Sequence, residues 1–346
     1  MTSPTVTVLI DTYNYGRFIE DAIDSVLAQD FPAALMETLI VDDGSTDDTA
    51  ERVKKYGERV RYFHKPNGGQ ASAFNFGIAR ARGEIVALLD ADDYWLPGKL
   101  RRVVEEFQKN PGLGMVYHGY LEVDQATKTS KEAIFHAVSG SFDSQGDGIF
   151  WYEPCPTSCT TYRRRLLEGI LPVPEGLRIL ADNWLGLMTP FVAPIQAVAE
   201  RLTAYRIHGK NLYYEEEGRM TVEARRKRIE MVQIVLDGMH ARLAKPEFRG
   251  RRGAREFVER VQLYKQKERF LIEPPGRLRY FQHLMKYNAC FGGHIDWRLR
   301  FMNYVSALGV LVGGYEHRDA VRGWFEGAGR RIWRSVREAG GSGRPT

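Results

Sequence analysis

Three apolar runs in this chain each end in carboxylates. Val6–Ile10 leads into Asp11, Glu37–Val41 into Asp42 and Asp43, and Glu84–Leu89 into Asp90-Ala91-Asp92-Asp93. Two carboxylates one residue apart, just beyond a buried strand, can hold a hard divalent cation. Mg2+ or Mn2+ takes few protein carboxylates and keeps positions for water and phosphate oxygens. As a Lewis acid, such an ion neutralises the charge on a departing nucleoside diphosphate. An isolated D-x-D triplet is more often a solvated turn. Here a second acidic pair, Asp42-Asp43, ends another strand, and Gly44 would let a ligand approach the backbone. A carboxylate at Asp43 can accept a hydrogen bond from a nucleobase imide N–H. The same segment also reads as a strand-to-helix cap, and both readings can hold together.

The elements that would position these groups alternate. Residues 5–10 read as a strand, and Phe18, Ile19, Ala22, Ile23 and Val26 fall at helical spacing before Phe31-Pro32. Residues 37–41 read as a second strand, with Ser45 or Thr46 placed to cap the next helix. Val60–His64 reads as a third strand, and a helix is expected over 71–82, stopped by Gly83. Residues 84–89 form a nearly all-apolar fourth strand, as at the centre of a parallel sheet. This βαβ alternation predicts an α/β fold with a Rossmann-like, mostly parallel sheet flanked by helices. Ligands of such sheets bind beyond the strands' carboxyl ends, so the topology brings the acidic clusters to one rim. Met115–Val123 reads as a further strand, 124–150 as a polar loop, and 180–189 as a helix. Beyond residue 220 the chain reads as helical, broken at Pro274-Pro275-Gly276.

These segments resemble the GT-A-fold glycosyltransferases of family 2. The resemblance rests on Val6–Ile10 followed by Thr12-Tyr13-Asn14, Val41-Asp42-Asp43-Gly44-Ser45, Asn67-Gly68-Gly69-Gln70 with Asn75-Phe76-Gly77, and Leu89-Asp90-Ala91-Asp92-Asp93. It implies a GT-A fold with a helical C-terminal region. It also implies an inverting enzyme, hexosyltransferase-like, that moves a sugar from a nucleotide diphosphate sugar, usually UDP-linked, to a hydroxyl of a glycan or lipid-linked acceptor. Thr12, Tyr13 and Asn14 would line the nucleotide pocket, Asp43 would bind the base, and Gly69 and Gln70 would contact the donor. Asp90 would lie near ribose and metal, Asp92 would be the main ligand of Mn2+ or Mg2+, and His208, in Tyr205-Arg206-Ile207-His208, would lie near metal or diphosphate. Relatives place the catalytic base in an acidic pair at the start of a later helix. Here that position reads Ala181-Asp182, so Asp182 stands for the base without its acidic neighbour. A lone Asp at a helix start is otherwise an N-cap. Relatives often carry a cation between the glycine pair and the following Asn. Residues 70–74 have none, so the metal, Lys65, Arg206 or Lys210 would meet the diphosphate charge.

Other classes fit less well. The loop after the first strand lacks G-x-G-x-x-G, and no G-x-x-x-x-G-K-[ST] occurs, which argues against nicotinamide oxidoreductases and P-loop nucleotidases. A nucleotidyltransferase would share the ligand but not the pairing of Asp-Asp-Gly-Ser with Asp-Ala-Asp. A degenerate binding or scaffold protein of the same fold is the non-enzymatic alternative. Three cysteines argue against a disulfide framework, and Cys155 and Cys159 read as structural. No secretory signal pattern is expected at the N-terminus, and the nearly uncharged stretch 301–315 is short for a membrane span, which fits a cytoplasmic location. Residues 1–220, the expected catalytic domain, carry a net charge of −8, whereas 221–346 carry +13. Nucleic acid is the less fitting partner for that basic region. Trp297, Phe301, Tyr304 and Leu308, and later Trp324, Phe325 and Trp333 among arginines, suit an amphipathic helix. Such a helix would lie peripherally on an anionic membrane surface, or pack as a subdomain or an oligomer contact.

Overall fold

The computed structural model describes residues 5–142, 152–209, 211, 221–249 and 252–291. Two compact units divide the chain, Met1–Arg255 and Glu256–Thr346. The first begins with β1 (Val6–Thr12), α1 (Gly16–Leu27), β2 (Met36–Asp42), α2 (Thr49–Lys54), β3 (Arg61–His64), α3 (Gln70–Ile78) and β4 (Ile85–Asp90). It continues with β5 (Tyr94–Trp95), α4 (Lys99–Lys109), β6 (Met115–Asp124), β7 (Ser130–Glu132), β8 (Thr160–Arg163), α5 (Arg164–Leu167), α6 (Ala181–Met188), β9 (Ile195–Ile207) and α7 (Val222–Leu243). α8 (Arg252–Ile272) crosses the division, and α9 (Arg277–Phe291) lies in the second unit.

The strands form one sheet in the order β3-β2-β1-β4-β8-β6-β9-β5, with β7 on β6. β1 pairs in parallel with both β2 and β4, and the register sets Thr12 beside Asp42 and Asp11 beside Asp90. The strand ends that the sequence made acidic therefore lie side by side. Beyond β4 the sheet is mixed. β8 runs antiparallel to β4 and β6, whereas β9 is parallel to β6 and antiparallel to β5. The mostly parallel expectation thus describes the first four strands. β6 and β8 are antiparallel neighbours, a pairing that needs no crossover helix between the strands.

Period-two alternation divides the strand residues between two faces. Val6, Val8 and Ile10 of β1 are fully buried and pack with Ile40, Ala87 and Leu89 against Ile19, Ile23 and Val26 of α1 and Val103 and Phe107 of α4. Leu9 points to the opposite face, where a Cβ on Gly77 of α3 would come within 2.4 Å of its side chain. Each fully buried Val, Leu or Ile contributes about 1.5–3 kcal/mol, so this two-sided burial fixes β1 and β4 as the rigid floor beneath their acidic ends.

α3 ends at Ile78, shorter than the expected 71–82. The cap expected at Ser45 or Thr46 is not found there: Asp48 holds the N-cap position of α2 without a side-chain capping bond, and the Thr49 amide donates to Asp47 Oδ1 at 3.1 Å. The expected loop at 124–150 contains β7, paired antiparallel to β6; residues 143–151 lie outside the described set. α7 packs on α6, and a Cβ at Gly238 would sit 2.2 Å from the Trp184 ring. In the second unit the proline break separates α8 from α9. There His283 meets the Phe270 ring edge-on and bonds Gln266, and its pKa falls to about 4 through burial and the charges of Lys286 and Lys267. Among the described residues no helix is long and apolar enough to cross a membrane, and the amphipathic stretches beyond residue 291 lie outside them.

Candidate active site

Two loops at the carboxyl ends of β1 and β2 are stitched together. Asn14, in the left-handed region at φ 57°, donates its amide to Ser45 Oγ at 2.8 Å and accepts the Thr46 amide on Oδ1 at 2.8 Å. Thr12 is buried, and its Oγ1 has no hydrogen-bond partner among the described residues, whereas Tyr13 is exposed beside it. Asp42 ties its own loop, accepting from the Ser45 amide at 2.7 Å and the Tyr62 hydroxyl at 2.5 Å.

Asp43 is 4% exposed and nearly saturated. Its carboxylate accepts from Lys65 Nζ at 2.6 Å, the Gly68 amide at 3.0 Å and the Gly69 amide at 2.6 Å. A carboxylate offers about four lone-pair sites, so roughly one remains for an incoming N–H. Asp43 therefore folds the 65–69 loop. Lys65 is committed to Asp43, and Arg206 to Asp21 at 2.8 Å; Lys210 lies outside the described residues.

The carboxylates at the end of β4 crowd together. Asp90, Asp92 and Asp93 offer oxygens that all lie within 4.8 Å of one another. Burial raises the Asp90 carboxyl well above the usual range, and Asp11, Asp92, Asp93 and Asp182 push it the same way. Burial likewise pushes Asp11 up to about 7, offset in part by a hydrogen bond with Asp90 and reinforced by Asp92. Asp11 Oδ1 is buried with no hydrogen-bond partner among the described residues. This donor set suits a divalent cation: hard oxygens, mutual repulsion that positive charge relieves, and a buried orphan acceptor. Asp93 has both oxygens engaged, by Ser158 Oγ at 2.6 Å and the Arg206 amide at 2.8 Å. Asp90 and Asp92 are the members with oxygens to offer.

His208 faces Asp92, its Nε2 3.0 Å from Oδ2, and lies tilted on the Phe18 ring at 4.7 Å. Arg17 Nη2 is 3.3 Å from Nδ1 and can only donate. Nδ1 therefore accepts, the ring proton is assigned to Nε2, and Nε2 donates to Asp92. Metal ligation through Nε2 would displace that proton, as ligation by imidazole requires.

Asp182 sits in the first turn of α6, after Leu180 at φ 61°. Its Oδ1 accepts from the Asn183 amide at 2.8 Å and its Oδ2 from Thr157 Oγ1 at 3.2 Å. Burial raises its pKa to about 6, partly offset by these donors. A carboxyl poised there can take a proton near neutral pH.

The turn 157–159 carries residues that sequence reasoning passed over. Fully buried Ser158 bonds Asp93 with its hydroxyl, accepts the Asp90 amide at 3.1 Å, and accepts from Trp95, Lys99 and Thr203 on its carbonyl. Gln70, expected at the donor, sends its carboxamide to Asp90, Thr157 and Ala181. Gly69 adopts φ +86°, and a Cβ there would meet Arg178 Cα at 2.6 Å, so only glycine permits this approach. The flanking cysteines are free thiols, Cys159 buried and Cys155 half-buried.

Residues 7–171 match the profile of Glycosyl transferase family 2. An uncharacterized glycosyltransferase of Nostoc sp. is 40% identical over 215 residues, 60% of this chain. The chain covers 66% of that relative's length, a little under two thirds. Among solved structures, S. aureus TarS 1-349 in complex with UDP-GlcNAc is similar with a TM-score of 0.57 and 20% identity, over 92% of this chain and 83% of that one. The mannosyltransferase PcManGT from Pyrobaculum calidifontis, in complex with GDP-Man and Mn2+, is similar with a TM-score of 0.52 and 18% identity, over 96% and 88%. Both likenesses concern the fold, which is the GT-A architecture of those glycosyltransferases.

Proposed function

Through residues 7–171 the chain belongs to glycosyl transferase family 2, and from that premise we propose that it transfers a sugar from a nucleotide-sugar donor, most simply UDP-linked, to a hydroxyl of an acceptor glycan. The observation that carries this reading is the juxtaposition of a crowded acidic cluster, Asp90, Asp92 and Asp93, with a separate carboxyl, Asp182, tuned to about 6. The likeness to structures holding UDP-GlcNAc or GDP-Man with Mn2+ supports a divalent ion and a nucleotide sugar.

In this reading Asp90 and Asp92 hold Mn2+ or Mg2+, with His208 beside Asp92. The ion, when bound, neutralises negative charge on the departing nucleoside diphosphate. The loops of Thr12, Tyr13, Asn14 and Asp43 receive the nucleotide. Asp182 takes the proton from the acceptor hydroxyl as its oxygen attacks the anomeric carbon. The new C–O bond forms as the bond to the diphosphate oxygen breaks, and one in-line displacement inverts the anomeric centre. The two carboxyl roles separate because their environments differ, Asp90 among like charges and Asp182 among neutral donors. The basic balance of residues 221–346 supports an anionic partner, such as a lipid-linked acceptor at the cytoplasmic face of a membrane.

The test is turnover of UDP-GlcNAc and GDP-mannose with Mn2+, read as nucleoside diphosphate release, together with the anomeric configuration of the product. Release abolished in Asp92→Ala, with an inverted product, supports the reading. A retained configuration, or full release in Asp92→Ala, contradicts it.

A further inference from the structure

The Gln70 carboxamide lies where three parts of the site meet. Its Oε1 accepts from the Ala181 amide at 3.0 Å, which fixes the amide's orientation and turns Nε2 toward Thr157 Oγ1 at 3.3 Å and Asp90 Oδ1 at 3.4 Å. Nε2 can only donate, so Thr157 Oγ1 accepts there and its own proton is left for Asp182 Oδ2 at 3.2 Å. The chain of hydrogen bonds thus has one direction, from Gln70 through Thr157 to Asp182. Its near end is anchored by backbone. The Gln70 and Ala71 amides donate to the carbonyls of Arg178 and Leu177 at 2.9 and 3.2 Å, just before α6. The N-terminus of α3 therefore spends its first amides on the segment carrying Asp182. Thr157 is 2% exposed and Gln70 half-buried, so the bridge lies in a low-dielectric setting that strengthens each bond.

We propose that Gln70 and Thr157 are positioning residues that tie the proton-accepting Asp182 to the metal-side Asp90, so that acceptor activation and leaving-group departure share one fixed frame. The proposal rests on the reading of Asp182 as the base. Neither residue reacts. Thr157 holds the Asp182 carboxylate in one rotamer and, as a donor, favours its ionised form. Gln70 fixes the Thr157 hydroxyl and the start of α6. A misplacement of about 1 Å can cost on the order of a hundredfold in rate, which sets the expected scale.

The experiment uses the full chain with UDP-GlcNAc and Mn2+, following UDP release across pH in Thr157→Val, Thr157→Ser, Gln70→Leu and Asp182→Asn. Thr157→Val should lower kcat by roughly ten- to a hundredfold with donor KM unchanged, and should move the acid limb of the pH profile upward, because the ionised base has lost a donor. Gln70→Leu should lower kcat in the same way. Thr157→Ser keeps the hydroxyl and should restore both kcat and the limb. A Thr157→Val enzyme with raised donor KM but unchanged kcat and limb would make these residues donor contacts and overturn the proposal. So would a Thr157→Val enzyme equal to the wild type while Asp182→Asn is inactive. If Asp182→Asn itself keeps full kcat, the base assignment fails first and the proposal with it.

Discussion

Replacing Ser158 by Ala removes one oxygen from the most connected buried residue beneath the site. That hydroxyl donates to Asp93 at 2.6 Å and accepts the Asp90 amide at 3.1 Å, and the site is fully buried, away from bulk water. The substitution orphans an acceptor and a donor together. Each buried orphan costs about 1–3 kcal/mol, and two sharing one small relaxed space should sum to about 2–4 kcal/mol. The carbonyl bonds to Trp95, Lys99 and Thr203 are made by backbone and survive, which bounds the loss from above. At about 2–4 °C per kcal/mol for a unit of this size, the melting temperature should fall by roughly 4–16 °C. Scanning calorimetry at pH 7, checked by the urea midpoint, reads this directly. A fall of less than about 1 °C would show that the Asp93–Ser158–Asp90 network carries little energy, and the account of how β4 is held to the 157–159 turn would be wrong.

Three further outcomes follow from the same contacts. Asp182 works as a base only when ionised, and burial places its pKa at about 6, so wild-type kcat should fall as pH drops through 6, and Asp182→Asn should lose about 10²–10⁴-fold at pH 7.5; steady-state UDP release across pH checks both. A methyl at Gly238 would sit 2.2 Å from the Trp184 ring, so Gly238→Ala should destabilise the first unit by about 1–3 kcal/mol, seen in urea unfolding followed by tryptophan fluorescence. Lys99 is fully buried over Trp95, and burial holds its pKa well below the usual lysine value. The folded state then binds fewer protons than the unfolded one between the two pKa values, so wild-type stability should rise with pH in that window. Lys99→Met should lack the rise and be at least as stable at pH 7, as denaturant midpoints across pH would show.

Much of the acidic rim was legible because each carboxylate follows an apolar run, and a parallel sheet aligns such strand ends. Asp11, Asp42 and Asp90 are placed by register alone. The family pattern pointed to Asp182 at a helix start, which is where α6 begins, but nothing in it pointed to the Thr157 hydroxyl that donates to its carboxylate. Thr157 and Ser158 sit inside a C-x3-C spacing that drew attention to the sulfurs, while their partners lie 25 to 87 residues away. Gln70 carried a donor-contact expectation, yet its carboxamide bonds depend on α6 approaching through Gly69, a tertiary contact with no local signature. The mixed half of the sheet was hidden for a similar reason, since β8 is a four-residue strand whose partners β4 and β6 are set by long-range pairing.

We propose that this rim binds a nucleoside diphosphate through a divalent ion held by Asp90 and Asp92. It is tested most directly by calorimetric titration of UDP and GDP into the full chain with and without Mn2+, in wild type and Asp92→Ala. The account predicts Mn2+-dependent binding of one of the two, lost in Asp92→Ala while its fold remains intact by circular dichroism. Equal binding without the ion, or unchanged binding in a folded Asp92→Ala protein, would contradict it.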